Sequence, residues 1–565
     1  MNSRLSAYSW IFVPLIFLLF TAPGAVSYVF FHPDEKYYTD AALQMIEKND
    51  FFTPYKADGT PRFNKPVLAY WALIGSYKIA GVSPFSSRIL FWFGGALLVA
   101  VTFLMVRSLT RNQHIATVAS LITAANPLLI LSSSRSIPDI LLALFLTISA
   151  WGFMEIMVAE NRPRKLFFWM AWLGAAFAFE TKGIPAVAYA GISILYLLAN
   201  PWKRKKAGNL INSAALITAF AVAVSWFAIM YQMHGSSYFS SFFADQVGIR
   251  ISSGIMGALS NTFQGIGFLV AFTLPWAVIV FSKPKELRDH LKKNDKKTKA
   301  LYGFCLIWMV LTIVMSGAVS KFYDRYLLPA IPVISVFFAS VLVQSKTGFK
   351  NFVLYLFVGL NLIVNMTGIL YTVFVGTDFI LVAGTLTSLL ILIAFFLELF
   401  NPASKEKAIA NSLLLLYFNV FILLYPLLMP GTGEQLVLSL RREQISKTDT
   451  IYVYGNIRTA SAIRIQSHNQ FKVVNMDPVF TVPEKPDNHF LVFRSADRSS
   501  LDLANYKIVG GSQSLSRVSA DELPSFLQPV ARKMQAKGRY LIAKPGNMRK
   551  NFRVTPKKWY SSPGI

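Results

Sequence analysis

Asp34 and Glu35 follow the first apolar run, and Lys65 stands in the segment after them. Other ionisable residues fall where later apolar runs end: Arg88, Arg135 and Asp139, Glu180 and Lys182, Asp245 and Arg250, then Lys321, Asp324 and Arg325 just before Tyr326. Charges in or beside a bilayer are costly and persist where they pair or serve a pathway. Carboxylates and cations meeting at one membrane interface suit a reaction whose donor has a lipid tail and an anionic headgroup. Lys and Arg would hold the headgroup and stabilise the charge gained by a departing phosphate. A carboxylate would take the proton of the attacking hydroxyl. No metal is obligatory for that chemistry. His32 beside Asp34 and Glu35 is a poor ligand set, so no cofactor is expected and a divalent metal lacks support.

Each residue also has a plainer role. Asp34 could cap a helix start, Glu35 could partner a nearby cation, and Asp139, after Pro138, could face a helix dipole. Lys65 could be a snorkelling or solvated lysine, while Arg250, Lys182 and Lys321 could anchor to lipid phosphates. Arg88 and Tyr326 read as structural.

The elements that must position these residues are membrane helices. Hydrophobic residues make up 54% of the 565 positions and aromatics 14%, with a mean hydropathy of +0.46, which places most of the chain in lipid. Apolar runs near 9–30, 88–106, 115–132, 139–158, 167–180, 185–200, 210–231, 263–281, 301–317, 327–345, 352–374, 378–400 and 411–430 predict about thirteen spans of a ~30 Å hydrocarbon core. Cys305, the single cysteine, lies in an apolar run, which leaves no intrachain disulfide and no Cys-based metal site.

The formal charge is +27 and the basic clusters of the membrane part lie in loops, which argues for anionic lipid headgroups and against nucleic acid as the partner. Six alternate loops hold Lys and Arg clusters, around Arg107, Arg164, Lys203–Lys206, Lys283–Lys299, Lys346 and Lys405, and residues 431–565 are basic as well. The positive-inside rule then puts the N-terminus in the cytoplasm. The 31–87 loop, the 232–262 loop and everything after 431 fall on the opposite face. Alternatively, 9–30 is a cleaved signal peptide, since Ala25-Val26-Ser27 resembles a processing site.

Two extramembrane parts are expected. Residues 38–51 suit a helix lying on the membrane surface, roofing a cavity, followed by an irregular Pro/Gly-rich stretch from Tyr55 to Pro66. After Pro430, strand-length runs at Thr450–Tyr454, Phe471–Val474, Phe490–Phe493 and Tyr540–Ile542 predict a small α/β domain over 431–565, distinct from a membrane domain over 1–430.

The run HPDEKYYTDAALQMIEKNDFFTPYKADGTPRFNKPVLAYWALIGSYKIAGVSPFSSRI resembles the first outer loop of the bacterial ArnT-like and protein O-mannosyltransferase-like membrane glycosyltransferases. IPDILLALFLT at 137–147, ETKGIP at 180–185, FFADQVGIRI at 242–251 and YLLPAIPV at 326–333 extend the likeness in order. It spans roughly residues 8–345 and implies an α-helical polytopic membrane protein of the GT-C type. The implied donor is a polyprenyl-phosphate sugar, usually undecaprenyl, and the acceptor a lipid A-like glycolipid or a protein hydroxyl at the bacterial inner membrane. A monomer is expected.

By the same resemblance Asp34 is the catalytic carboxylate, with Glu35 as fallback and Asp139 as a second acid. Lys65, Arg250, Lys182 and Lys321 surround the lipid phosphate, and Tyr326 and Arg88 line the cavity. Three departures separate the chain from the lipid A aminoarabinose enzymes: Asn64 before Lys65, Tyr37 where an Arg is expected, and Gln246-Val247 in place of an acid-His pair. They argue against that sugar and that subgroup's metal site. Two other classes compete. A transporter or flippase would carry internal repeats and midplane charges, which are not seen. A receptor or scaffold would not need so many spans.

Overall fold

The computed structural model describes residues 8–26, 34–56, 59–244, 254–344, 349–375, 379–398, 405–424, 432–454, 457–476, 489–501, 503–512 and 539–546, with 525, 528, 529 and 532. Arg250 and His32, both weighed above, lie outside the described residues.

A helix lies on each of the thirteen apolar runs. By length and apolarity, seven described helices can cross a membrane: Ser9–Val26, Pro84–Thr110, Asp139–Val158, Ser213–His234, Gly254–Thr273, Lys296–Gly317 and the Phe349–Leu370 part of Phe349–Val375. Gln113–Ala124 and Pro127–Ser133 form an eighth if taken as one span bent by 61°. Local chemistry makes that bend. Pro127 cannot continue the preceding helix, and Asn126 restarts the chain by accepting the Leu128 N–H at 3.0 Å. The Asn126 amide also donates to the Phe272 carbonyl at 2.7 Å. Among the shorter apolar helices are Ile184–Ala199, Ala330–Val343 and Val382–Ile393.

One helix pair matters most for the site. Asp139–Val158 and Lys165–Lys182 run antiparallel with their backbones in contact. A Cβ added at Gly152 would stand 2.4 Å from the Ala171 nitrogen, and one at Gly174 2.7 Å from the Ser149 nitrogen. Small residues permit this approach, as in other membrane helix pairs. The first residue of one helix, Asp139, is thereby set beside the last of the other, Lys182. Gly183, at φ +80°, then turns the chain into Ile184–Ala199.

The expected surface helix is present as Glu35–Glu47. A second helix, Leu68–Ala80, occupies part of what was expected to be loop. Asp50 organises the stretch between them: its carboxylate accepts the Phe52 and Thr53 N–H groups, each at 3.0 Å, and the Tyr55 hydroxyl at 2.7 Å. Another helix not anticipated, Pro284–Lys293, lies in the most basic loop.

The C-terminal part contains a five-stranded sheet in the order β2-β1-β3-β5-β4. Its strands are β1 Thr450–Tyr454, β2 Lys472–Met476, β3 His489–Arg494, β4 Tyr506–Ser512 and β5 Tyr540–Pro545. β1 pairs in parallel with β2 and β3, while β5 pairs antiparallel with β3 and β4. Helices Thr432–Arg442 and Ile457–Gln466 cover one face through Leu436, Leu440 and Ile463. β4 was not anticipated. Its Gly510-Gly511 pair and a register shift after Ile508 remove the alternation that marks a strand.

Candidate functional site

The surface helix, the loop after it, the Asp139–Lys182 pair and the 319–326 turn enclose a cavity of about 260 Å³. Asp34, Lys65, Asp139, Lys182, Lys321 and Tyr326 all line it. Arg62 and Arg325, which the sequence did not single out, line it too.

Arg325 is the centre of the arrangement. Its guanidinium lies 2.5 Å from the Asp34 carboxylate and 3.4 Å from that of Asp139. Lys182 donates to the other Asp139 oxygen at 2.5 Å and sits over the Tyr326 ring, 4.5 Å from its centroid. Burial works against the Arg325 charge, but Asp139 and Asp34 outweigh it and hold its pKa above the ordinary value. The four groups thus form an alternating chain, Asp34–Arg325–Asp139–Lys182. Asp34 occupies the position before the surface helix but makes no side-chain capping bond there; its carboxylate turns to Arg325 instead.

Arg62 flanks the cavity over the rings of Tyr37 and Tyr38, at 4.9 and 5.5 Å, and its Nε donates to Asn64 at 2.9 Å. Burial, with Tyr70 adding, pushes the Tyr38 phenol well above its usual pKa, so Tyr38 offers a neutral hydroxyl. Lys65 is buried at 5% exposure, whereas Lys321 is exposed with its ammonium 5.7 Å from the Tyr323 ring. A second cavity, about 190 Å³, shares Lys65, Asp139, Lys182, Arg325 and Tyr326 with the first. Apart from Ser316 the rest of its wall is apolar, with Leu142, Ile184, Met315 and Pro329 among it, apart from the Tyr189 hydroxyl.

Glu35 and Arg88 stand apart from both cavities. The Arg88 guanidinium meets the Glu35 carboxylate through two bonds of 3.0 Å, and Glu35 also accepts the Ser136 N–H at 2.9 Å. All of this is buried and ties the start of the surface helix to Pro84–Thr110. Asp34 and Glu35, adjacent in sequence, therefore face different surroundings. Among the described residues no group of three His, Cys, Asp or Glu side chains is placed to hold a metal ion.

Residues 64–229 match the family model described as dolichyl-phosphate-mannose-protein mannosyltransferase. An uncharacterised protein of Aquifex aeolicus is 26% identical, over 72% of this chain and 79% of its own. The undecaprenyl phosphate-alpha-4-amino-4-deoxy-L-arabinose arabinosyl transferase of Pectobacterium atrosepticum is 25% identical over 60% of each chain. The enzyme of the same description from Yersinia pestis is 26% identical over 58% of each. Both matches fall short of two thirds of those relatives' length. The crystal structure of ArnT from Cupriavidus metallidurans bound to undecaprenyl phosphate superposes with a TM-score of 0.65 at 14% identity, covering 96% of this chain and 98% of that one. The chain has the fold of ArnT and is similar in sequence to membrane glycosyltransferases.

That fold likeness extends over the C-terminal sheet as well as the helices, further than the sequence resemblance reached. Within the ArnT-like frame, Arg325 is the largest addition to the residues read from sequence. It was legible only as one of several charges at a helix end, because its partner Asp34 is 291 positions away.

Proposed function

We propose that this ArnT-like chain moves a monosaccharide from a polyprenyl-phosphate donor to an envelope acceptor, a glycolipid or a protein hydroxyl, on the outer face of the bacterial inner membrane. The observation that supports this reading is the adjacency of the two cavities: a charged one containing Asp34 and a largely apolar one share Lys65, Lys182 and Arg325 in their walls. A donor with an anionic link between a sugar and an isoprenoid has that same division.

In this mechanism the phosphate sits at that shared wall against Lys65, Lys182 and Arg325, with Arg250 and Lys321 as further cations of that set. The lipid tail enters the apolar chamber and the sugar faces Asp34 and Asp139. The acceptor oxygen attacks the anomeric carbon as the bond from that carbon to the phosphate oxygen breaks. The electron pair goes to the phosphate, whose new charge the cations stabilise in the transition state. The hydroxyl proton passes to Asp34. Pairing with Arg325 does not disqualify this base, since a carboxylate has about four acceptor sites on two oxygens. Asp139 orients Lys182 and Arg325, and direct attack inverts the anomeric centre.

The orientation rests on the basic loops: the helices that begin at the cavities, Asp139–Val158 and Ile184–Ala199, end next to Lys- and Arg-rich segments. Both the N-terminus and those loops are cytoplasmic in this reading, and the C-terminal unit lies outside. Mass spectrometry of envelope glycolipids and glycoproteins from a strain lacking the chain tests it. One missing monosaccharide, restored by the wild-type gene, is the expected result. An unchanged envelope, together with lipid translocation by the reconstituted protein, would replace transfer by transport.

A further inference from the structure

The surface helix that carries Asp34, Tyr37 and Tyr38 is held at its middle by a side chain from the C-terminal unit. Arg464, in helix Ile457–Gln466 against the sheet, places one guanidinium nitrogen 2.6 Å from Asp40 and another 2.5 Å from Glu47. Arg464 and Asp40 are both buried, while Glu47 is half exposed. Asp40 also receives the Gln44 amide at 3.3 Å, and that amide reaches the Lys56 carbonyl at 2.6 Å. The Lys56 N–H is bonded to the Thr60 carbonyl at 2.8 Å, ahead of Arg62 and Lys65. The same interface has Ser461 donating to the Lys36 carbonyl at 3.4 Å and the His468 ring nitrogen 2.8 Å from the Val82 carbonyl. Ala462 and Ile465 pack into the main apolar core, not the core of the sheet alone.

We infer that Arg464 is a positioning residue, through which the C-terminal unit fixes the surface helix and the segment 60–65, and with them Asp34 and Lys65, over the cavity. Its effect on catalysis rests on the transfer reading above; its effect on the helix does not. Removing one partner of a buried pair leaves an uncompensated charge, here the Asp40 carboxylate. The helix has 13 residues, too few to be stable alone, so its order depends on such contacts. A displacement of about 1 Å at a reacting group costs on the order of 10²-fold in rate. Lysine is a poor substitute, because one ammonium lacks the planar fork that meets two carboxylates at once.

The test is hydrogen–deuterium exchange on the full-length protein in nanodiscs, comparing wild type with Arg464→Gln, Arg464→Lys and Asp40→Asn, with kcat and KM for transfer measured alongside. Arg464→Gln should speed exchange across Glu35–Glu47 by about tenfold or more while β1 and β3 keep their protection. Arg464→Lys should fall between, and kcat should drop in the same order with a smaller change in KM. Unchanged exchange in Glu35–Glu47 with an intact sheet overturns the inference, as does a loosened helix with kcat intact. Should Arg464→Gln loosen the sheet itself, Asp40→Asn decides, because it leaves the sheet side untouched: a helix that stays protected there overturns the inference. A wild-type protein that transfers no sugar but shows the predicted exchange pattern would refute the transfer reading and leave the positional one standing.

Discussion

At the scale of single residues, the chain Asp34–Arg325–Asp139–Lys182 has the most testable consequences. Replacing Arg325 by Met leaves two carboxylates sharing the remaining cations, and a buried pair that loses one partner costs roughly 3–5 kcal/mol. Arg325→Met should therefore lower the melting temperature of the purified protein and cut transfer by about 10²-fold or more, the size of a lost oxyanion-type donor. Arg325→Lys should recover most of the stability but little of the rate, since a single ammonium cannot face Asp34 and Asp139 in the same geometry. A melting temperature within a degree of wild type for Arg325→Met would show that the guanidinium is not holding the two acids. Asp34 and Asp139 stood out in the sequence as acids at helix ends, and Lys65 and Lys182 as cations there. Their mutual contacts did not, because nothing in a run of charges says which of several rim residues will face each other. Glu35 illustrates the limit: one position from Asp34, it points to Arg88 and Ser136 instead of the cavity.

At the scale of elements, the close packing of Asp139–Val158 on Lys165–Lys182 sets the spacing of Asp139 and Lys182. Gly152→Val puts a branched side chain where even a Cβ would be 2.4 Å from backbone. Overpacking of this kind costs about 1–3 kcal/mol. The expected outcome is a lower melting temperature and a loss of transfer exceeding that of Gly191→Val, where a Cβ meets nothing within 4 Å. Equal behaviour of the two variants would remove this helix pair from the account. The Phe51–Tyr55 stretch gives a pH prediction. Although burial opposes it, hydrogen bonds from Tyr55, Thr53 and Phe52 hold Asp50 below its ordinary pKa. A depressed carboxylate pKa contributes stability that is present above the unfolded value of about 4 and is lost as pH falls through the folded one. Limited proteolysis between Phe51 and Arg62 should be flat from pH 8 to 5 and rise below pH 4. Asp50→Asn should cleave faster at neutral pH and lose that acid-dependent rise. Helix positions in the membrane part were legible from apolar length, and the strands other than β4 from short apolar runs. Leu68–Ala80 was not, because its 13 residues are too few to span a bilayer and follow an irregular Pro-rich stretch.

At the scale of the whole molecule, helices frame the candidate cavity, and the C-terminal sheet unit is joined to the surface helix through Arg464. Composition and spacing made the membrane class and the GT-C resemblance readable. The docking was not readable, since it joins Arg464 to residues some 420 positions earlier by side-chain contact alone. The proposed reaction is transfer from a lipid-linked donor. Its most direct measurement uses full-length protein in liposomes with a radiolabelled undecaprenyl-phosphate sugar and an envelope extract as acceptor, with the product resolved by chromatography. The wild-type protein should move label to the extract and release undecaprenyl phosphate in equal amount. Asp34→Asn, folded by its melting profile, should be slower by roughly 10²–10⁴-fold, as expected for loss of a general base. Transfer by Asp34→Asn within a few-fold of wild type, or donor consumed by wild type with no labelled acceptor formed, would contradict it.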